Sequence, residues 1–171
     1  MSPFELKIKL DLAEDRAQFV KKHSVSDEMN VIVTDDGNMH FFDDDGNDIT
    51  KSTICIKNWA FYYCTSLKSV VIPDSVKSIG HQAFSWCKNL ASISIPDSVI
   101  GIREDAFSYC SSLESIVIPD SIKRIGRCAF IRCSSLTSII FKGKTLEEVK
   151  SMDSYPWGVE DESAFKAENK A

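Results

Sequence analysis

Six cysteines are the residues in this 171-residue chain with the greatest capacity for chemistry. Their thiolates could act as nucleophiles or bind zinc, and paired thiols could form disulfides, but each role needs a partner at a suitable spacing. The chain contains no Cys-x-x-Cys pair, and four of the cysteines recur every 23 residues. A thiol that recurs at one interval is expected to face a shared apolar interior, where free cysteine behaves as a small hydrophobic group. We therefore predict core thiols at Cys64, Cys87, Cys110 and Cys133.

The sequence contains none of the common catalytic or cofactor-binding patterns. His23, His40 and His81 lie far apart, and none is spaced from a Ser or Cys and a carboxylate as in known triads. Neither Gly-x-Gly-x-x-Gly nor Gly-x-x-x-x-Gly-Lys-Ser/Thr occurs, so nucleotide binding has no support. We predict a protein that is not an enzyme, with no catalytic residues, no cofactor and no metal site.

Carboxylates are concentrated before the cysteine-containing part of the chain. The run at residues 43–48 surrounds Gly46 with acids, as calcium loops do, but it lacks the alternating acids and the distal Glu of an EF-hand. We interpret the run as a solvated turn, and the alternative is an acidic surface that meets a basic partner. The residues of this acidic surface are Asp35, Asp36, Asp43, Asp44, Asp45 and Asp48.

The net charge of −5 is unevenly distributed along the chain. Residues 1–48 contain twelve acids and five bases, whereas residues 49–142 contain six acids and eleven bases. The acidic balance argues against direct binding of nucleic acid, which requires clustered Lys and Arg. A basic group is expected on the last repeats, as a solvated face or as a site for an acidic partner; its members are Arg103, Lys123, Arg124, Arg127 and Arg132.

The elements that must position all these residues follow a period of 23. One such unit cannot bury its apolar face alone, so successive units are expected to stack around a common core. The Leu-x-x-Ile-x-Ile spacing predicts a short strand, Pro-Asp-Ser predicts a turn, and Val-x-x-Ile predicts a second extended segment on the opposite side. The repeated columns are Ile56, Ile79, Ile102 and Ile125; Phe61, Phe84, Phe107 and Phe130; Leu67, Leu90, Leu113 and Leu136; and Pro73, Pro96 and Pro119.

These columns resemble the BspA-like class of leucine-rich repeats, also called the Treponema pallidum type, whose pattern is close to IP-x-S-V-x-x-I-x-x-x-AF-x-x-C-x-x-L-x-x-I. The resemblance covers about half of the chain. It implies an α/β-type repeat solenoid, a short superhelix of four 23-residue coils over residues 49–142 made mostly of short strands and turns. For function it implies binding to proteins or to cell and host surfaces.

Capping segments are predicted at both ends, because an uncapped stack would expose its core and strand edges. Residues 1–48 are predicted to form an N-terminal α/β cap, with a helix at 13–23 and a β-hairpin between 31–33 and 39–42. Residues 143–171 are predicted to form a C-terminal helical cap followed by a polar tail.

Within the C-terminal cap, Thr145 and Glu148 are expected to form a capping box that opens a helix ending near Met152. The chain from Glu160 onward is polar and is expected to fray. The stretch GKTLEEV, together with the YPWG that follows it, also resembles the tail of many bacterial and mobile-element members of the same repeat class.

Two columns outside the core are candidate partner-binding surfaces. The first, which we call the aromatic ladder, consists of large side chains of the kind that anchor interfaces, Tyr63, Trp86, Tyr109 and Arg132. The second, which we call the sheet face, is a small and nearly uncharged outward surface of the predicted strands, formed by Ser69, Val71, Ser92, Ser94, Ser115, Val117, Ser138 and Ile140. Packing within the turn edge and plain strand propensity are the alternatives for these two columns.

The sequence therefore predicts a non-catalytic module that recognises another protein through the solenoid surface. One alternative is an inhibitor or decoy whose acidic surface occupies a nucleic-acid-binding enzyme, and a second is a cell-surface or host-binding adhesin. A homodimer through exposed strand edges is also open. Residues 1–12 carry charges where an export signal needs an apolar stretch, so a cytoplasmic location is expected unless the N-terminus was trimmed.

Overall fold

The computed structural model of the protein describes residues 30–33, 38–42, 51, 55–65 and 67–168. In chain order its elements are β1 (Asn30–Val33), β2 (Met39–Phe42), β3 (Cys55–Ile56), β4 (Ser69–Val71), β5 (Ser78–Ile79), β6 (Ser92–Ser94), β7 (Gly101–Ile102), β8 (Ser115–Ile118), β9 (Arg124–Ile125), β10 (Ser138–Lys142), α1 (Leu146–Lys150), a 3-10 helix (Glu162–Ala164) and β11 (Phe165–Glu168).

The repeats wind into a solenoid in which each coil contributes one strand to each of two parallel sheets. The first sheet has the order β3-β5-β7-β9, and the second consists of the pair β4-β6 and the group β8-β10-β11. Ser69 lies opposite Ser92, and Ile79 lies opposite Ile102, so neighbouring coils are in register by one 23-residue repeat. The predicted leucine-rich-repeat solenoid and its two extended segments per coil are confirmed.

Because the register equals the repeat, each apolar column becomes a continuous row in the core. The isoleucines, leucines and phenylalanines of the columns are all less than one tenth exposed. The phenylalanine rings stack almost parallel, with centroids 5.0, 5.4 and 5.8 Å apart along the row. At the predicted Pro-Asp-Ser turns, the amide of Val76 donates to the carbonyl of Pro73, and Val99 and Ile122 repeat this bond in the later coils.

The core thiols form a second row beside the phenylalanines. Cys64, Cys87 and Cys110 are buried as predicted, while Cys133 in the last repeat is partly exposed. Burial raises the pKa of the Cys87 and Cys110 thiols, and it raises the pKa of Cys133 to about 12. These three thiols are therefore protonated at neutral pH and poor nucleophiles.

The C-terminal segment continues the stack instead of leaving it. Helix α1 begins with the predicted capping box, in which Thr145 and Glu148 exchange hydrogen bonds. The amide of Phe130 donates to the carbonyl of Trp157, which takes the place of an alanine carbonyl in the earlier coils. Strand β11 pairs in parallel with β10. The segment thus supplies part of a fifth coil.

The prediction that the chain frays from Glu160 is wrong for residues up to Glu168. Phe165 is buried against Phe141, Tyr155 and Trp157, and its burial holds the polar residues around it in the sheet. The hydroxyl of Tyr155 also donates to Glu162 at 2.6 Å. A single buried ring therefore orders a segment whose composition is otherwise that of a tail.

At the N-terminal side, β1 and β2 pair antiparallel with Asn30 opposite Phe42, in the region where the hairpin is predicted. Asn38 forms a parallel bridge with Val71 and places the hairpin beside the first strand of the second sheet. The predicted helix at 13–23 and all six residues of the acidic surface lie outside the described residues. The domain boundaries at 48/49 and 142/143 stay predictions.

Candidate functional site

The aromatic ladder is presented by an uncommon backbone conformation. Its four members are in the left-handed region, with φ of 62° at Tyr63, 64° at Trp86, 59° at Tyr109 and 60° at Arg132. The amide of Tyr63 donates to the carbonyl of Ser85 in the next coil, and Trp86 and Tyr109 repeat this bond at 2.8 Å. At these three residues the inter-coil bonds support a conformation that non-glycine residues adopt at a cost of about 1–2 kcal/mol each.

The rings of the ladder interact unequally. Trp86 and Tyr109 stack closely, with centroids 4.1 Å apart and planes 10° from parallel. Tyr63 lies 6.1 Å from Trp86 at a tilt of 33°, and it is 53% exposed. The structure therefore brings the three aromatic residues together as one surface, with Tyr63 as its most open member.

Arg132 occupies the ladder position of the last repeat but takes part in a different contact. Its Nη1 lies 3.7 Å from Oε1 of Glu160, and both side chains are exposed. The cation over a ladder ring is instead Lys88, whose Nζ lies 5.1 Å from the centroid of Trp86. Lys88 was missed because it stands two residues after Trp86 in the sequence, outside the repeated column.

Trp59 and His81 form a second aromatic contact in the first coils that the sequence did not single out. Their rings meet edge to face at 5.6 Å, and Nε1 of Trp59 donates to Oε1 of Gln82. Trp59 has a φ of 57° and is exposed, so it shares the presentation of the ladder. In the sequence, Trp59 is marked only by its position four residues before Tyr63. The corresponding residues of the later coils, Gln82, Asp105 and Cys128, also have positive φ.

The sheet face lies on the outer side of the second sheet. Its residues alternate with buried Val70, Ile93, Ile116 and Ile139, which point into the core. Four members are exposed, and these are Ser92, Ser94, Ser115 and Val117. They flank the boundary between β6 and β8, where the described strands are not joined by ladder hydrogen bonds. The face is therefore interrupted at its middle.

The basic residues of the last repeats divide between two places. Lys123 and Arg124 lie at β9, the last strand of the first sheet, with Arg103 and Arg127 in the turns that follow β7 and β9. Arg132 lies apart from them with Glu160. Among the described residues, no group of three His, Cys, Asp or Glu side chains could hold a metal ion. No helix among them is long and apolar enough to cross a membrane.

Comparison with known proteins agrees with this geometry. A family profile described as BspA type leucine rich repeat region matches residues 48–155 with six copies. The match extends beyond the four units of the sequence period, into the segment that supplies the partial fifth coil. No curated protein matches the chain significantly.

Three solved structures are similar. A leucine-rich repeat protein of T. pallidum is 32% identical with a TM-score of 0.53, over 68% of this chain and 59% of that one. A leucine-rich repeat protein from Bacteroides ovatus is 36% identical with a TM-score of 0.59, over 68% of this chain and 29% of that one. A leucine rich cell surface protein from Faecalibacterium prausnitzii is 38% identical over 50% of this chain and 22% of that one, with a TM-score of 0.48.

This chain therefore spans less than two thirds of the length of each of these relatives. The repeat columns, the stacked coils in register and the profile match over more than half of the sequence agree with one another. The chain belongs to the BspA-type leucine-rich repeat family.

Proposed function

We propose that this protein is a non-catalytic module that recognises another protein through the aromatic ladder. The observation that carries the proposal is Tyr63, which keeps a large, open ring at a left-handed position where Gly or Asn would be cheaper. Its ring touches Trp86 only at a tilt, so stacking offsets less of the backbone cost here than at Trp86 and Tyr109. Its ring also meets Tyr62 only at a tilt, and we infer that contact with a partner is the further advantage of a tyrosine at this position.

The neighbours of Tyr63 support the same surface. Trp59, Tyr62 and Tyr63 are all at least partly exposed in the first coil, and Lys88 adds a charge beside Trp86. Aromatic rings with adjacent polar groups anchor protein interfaces, because they bury a large area with few rotatable bonds. The family supports the broad class, since leucine-rich repeats form interaction modules and surface proteins.

The test compares what the intact chain and two variants capture from a lysate of the source cells. One variant carries Tyr63→Ala, Trp86→Ala and Tyr109→Ala, and the matched variant carries Ser94→Glu and Val117→Glu on the sheet face. We expect a partner that binds the intact chain and the sheet-face variant but not the ladder variant. Recovery of the same partner by the ladder variant, shown to be folded by circular dichroism, would contradict the proposal.

The acidic surface carries the alternative function of an inhibitor or decoy for a nucleic-acid-binding enzyme. Asp→Asn changes at positions 43, 44 and 45 would abolish such binding and leave recognition by the ladder unchanged. Loss of the captured partner in this variant, with retention in the ladder variant, would favour the decoy over the ladder.

A further inference from the structure

Ile100 is a large apolar side chain on the outer side of the first sheet, and it is 51% exposed. The same repeat position holds Lys77 one coil earlier and Lys123 one coil later. The amide of Ile100 donates to the carbonyl of Lys77 at 2.9 Å, and the amide of Lys123 donates to the carbonyl of Ile100 at 3.0 Å. An exposed isoleucine is thus flanked by an exposed lysine on each neighbouring coil.

Two arginines complete this surface. Arg124 lies directly opposite Gly101 in the register of β7 and β9, and Arg103 follows β7; both arginines are exposed. Because Gly101 has no side chain, no neighbouring side chain at that position covers Ile100. We call Lys77, Ile100, Arg103, Lys123 and Arg124 the Ile100 patch. In the part of the chain that the structure describes, none of its four cations forms an ion pair.

The Ile100 patch reaches the edge of the first sheet at β9. Strand β9 is the last strand of the first sheet, and no described strand pairs with its outer side. The second sheet differs, because β11 extends it beyond the last repeat. An unpaired edge of this kind can accept another chain, and the charges beside it decide which chains are attracted.

The complementary charge lies at the other end of the sequence. Residues 1–48 carry twelve acids and five bases, and Asp43, Asp44 and Asp45 directly follow two phenylalanines. The chain on either side of these acids, at the hairpin bridge of Asn38 and at Cys55 in β3, belongs to the first coil.

We propose that the Ile100 patch of one molecule docks the acidic segment around Asp43, Asp44 and Asp45 of a second copy. The contact joins unlike surfaces of identical chains and so can be repeated along a row of molecules. Ile100 supplies the apolar anchor. The four cations attract the acidic segment of the second copy and favour it over other surfaces. No residue of the aromatic ladder takes part, so this contact and the proposed function fail or succeed separately.

Sedimentation velocity on the full chain tests the proposal. At about 50 mM salt we expect the sedimentation coefficient to rise with protein concentration, and at about 500 mM salt we expect it to return to the monomer value. Lys123→Glu with Arg124→Glu should abolish the rise, and Ile100→Ser should weaken association about tenfold or more. The matched control, Lys68→Glu with Lys166→Glu, changes the net charge equally outside the patch and should associate like the original chain.

A charge exchange separates a lost contact from a damaged fold. A chain with Lys77→Glu, Arg103→Glu, Lys123→Glu and Arg124→Glu, and a chain with Asp→Lys changes at positions 43, 44 and 45, should each stay monomeric alone. Mixed together, they should associate, because the acidic patch of one meets the basic segment of the other.

Three results would overturn the proposal. These are a monomer at every concentration at low salt, association that survives Lys123→Glu with Arg124→Glu, and failure of the two exchanged chains to associate on mixing. Binding of heparin or of anionic vesicles by a chain that stays monomeric would assign the patch to another class of partner and would equally overturn it.

Discussion

The thiol of Cys110 donates a hydrogen bond to the carbonyl oxygen of Phe84, and the two atoms are 3.1 Å apart. The same carbonyl accepts the amide of Cys87 at 3.2 Å, so both of its lone pairs are used. Cys87 and Cys133 make the corresponding bond to Phe61 and Phe107. The cysteine column therefore both fills the core and links each coil to the one before it.

Replacing Cys110 by alanine should lower the free energy of unfolding by about 2 kcal/mol. The change leaves a small cavity in the core, and the carbonyl oxygen of Phe84 loses one of its two hydrogen-bond donors. Urea unfolding monitored by circular dichroism measures the change. Cys128→Ala is the matched control, because Cys128 is only partly buried and lies outside the column. It should change the free energy by less than about 0.5 kcal/mol. Equal effects of the two changes would contradict the role assigned to the column.

The thiols should also differ in reactivity. At about pH 8 iodoacetamide is expected to modify Cys55 and Cys128 in the folded chain and to leave Cys87, Cys110 and Cys133 unmodified, since burial raises the pKa of these three thiols. In urea all six cysteines should react. Peptide mass spectrometry reads out the sites, and rapid native labelling of Cys110 would show that the row is accessible.

Gly101 in β7 and Gly126, which directly follows β9, should differ in their tolerance of a methyl group. A Cβ at Gly126 would lie 2.7 Å from Cα of Glu104, whereas a Cβ at Gly101 would have its nearest contact, the carbonyl oxygen of Arg124, at 4.0 Å. Gly126→Ala should destabilise the protein by about 3 kcal/mol because the neighbouring backbone must move. Gly101→Ala should change stability by less than about 0.5 kcal/mol, and thermal unfolding compares the pair.

Arg132 offers a direct test of the backbone cost of the ladder. Arg132 has a φ of 60°, which glycine adopts without a steric cost. Arg132→Gly removes that cost and loses only an exposed ion pair, so the free energy of unfolding should rise by about 0.5 kcal/mol. Arg132→Val places a branched side chain at the same angle and should lower stability by about 1 kcal/mol. Urea unfolding of both variants gives the sign. A stabilising valine would show that the position is not under strain.

The repeated columns were sufficient to predict the solenoid, its two strands per coil and its turns, because burial of Ile, Leu and Phe at a constant interval allows few other arrangements. They did not predict β11, since Phe165 is the one large apolar residue in its segment and polar neighbours hide it. They also did not predict the backbone of the ladder. Tyr63 and Trp86 have no local preference for positive φ, and in the folded chain the amide of each donates to a carbonyl of the next coil.

The candidate surfaces were predictable as columns but not as contacts. The period alone predicts that Tyr63, Trp86 and Tyr109 lie on one side of the solenoid. It does not predict that only Trp86 and Tyr109 stack closely, because stacking depends on how each ring is rotated. The basic residues of the Ile100 patch were partly predicted, but Ile100 itself was not. Its column holds Ile54, Lys77, Ile100 and Lys123, and an apolar residue in such a mixed column does not indicate whether it is covered. Its exposure is a property of the folded chain.

The equality of sheet register and repeat length has a consequence for how such chains can change in size. In the first sheet every internal coil pairs with both neighbours in the same register, so a duplicated or deleted block of 23 residues leaves each remaining junction of that sheet with a matching strand. Gene-level expansion or contraction can therefore lengthen or shorten the stack without redesign of the segments that close it. A chain with an extra copy of residues 96–118 should fold, and each such copy would move the two terminal surfaces apart by one inter-strand spacing of about 4.8 Å.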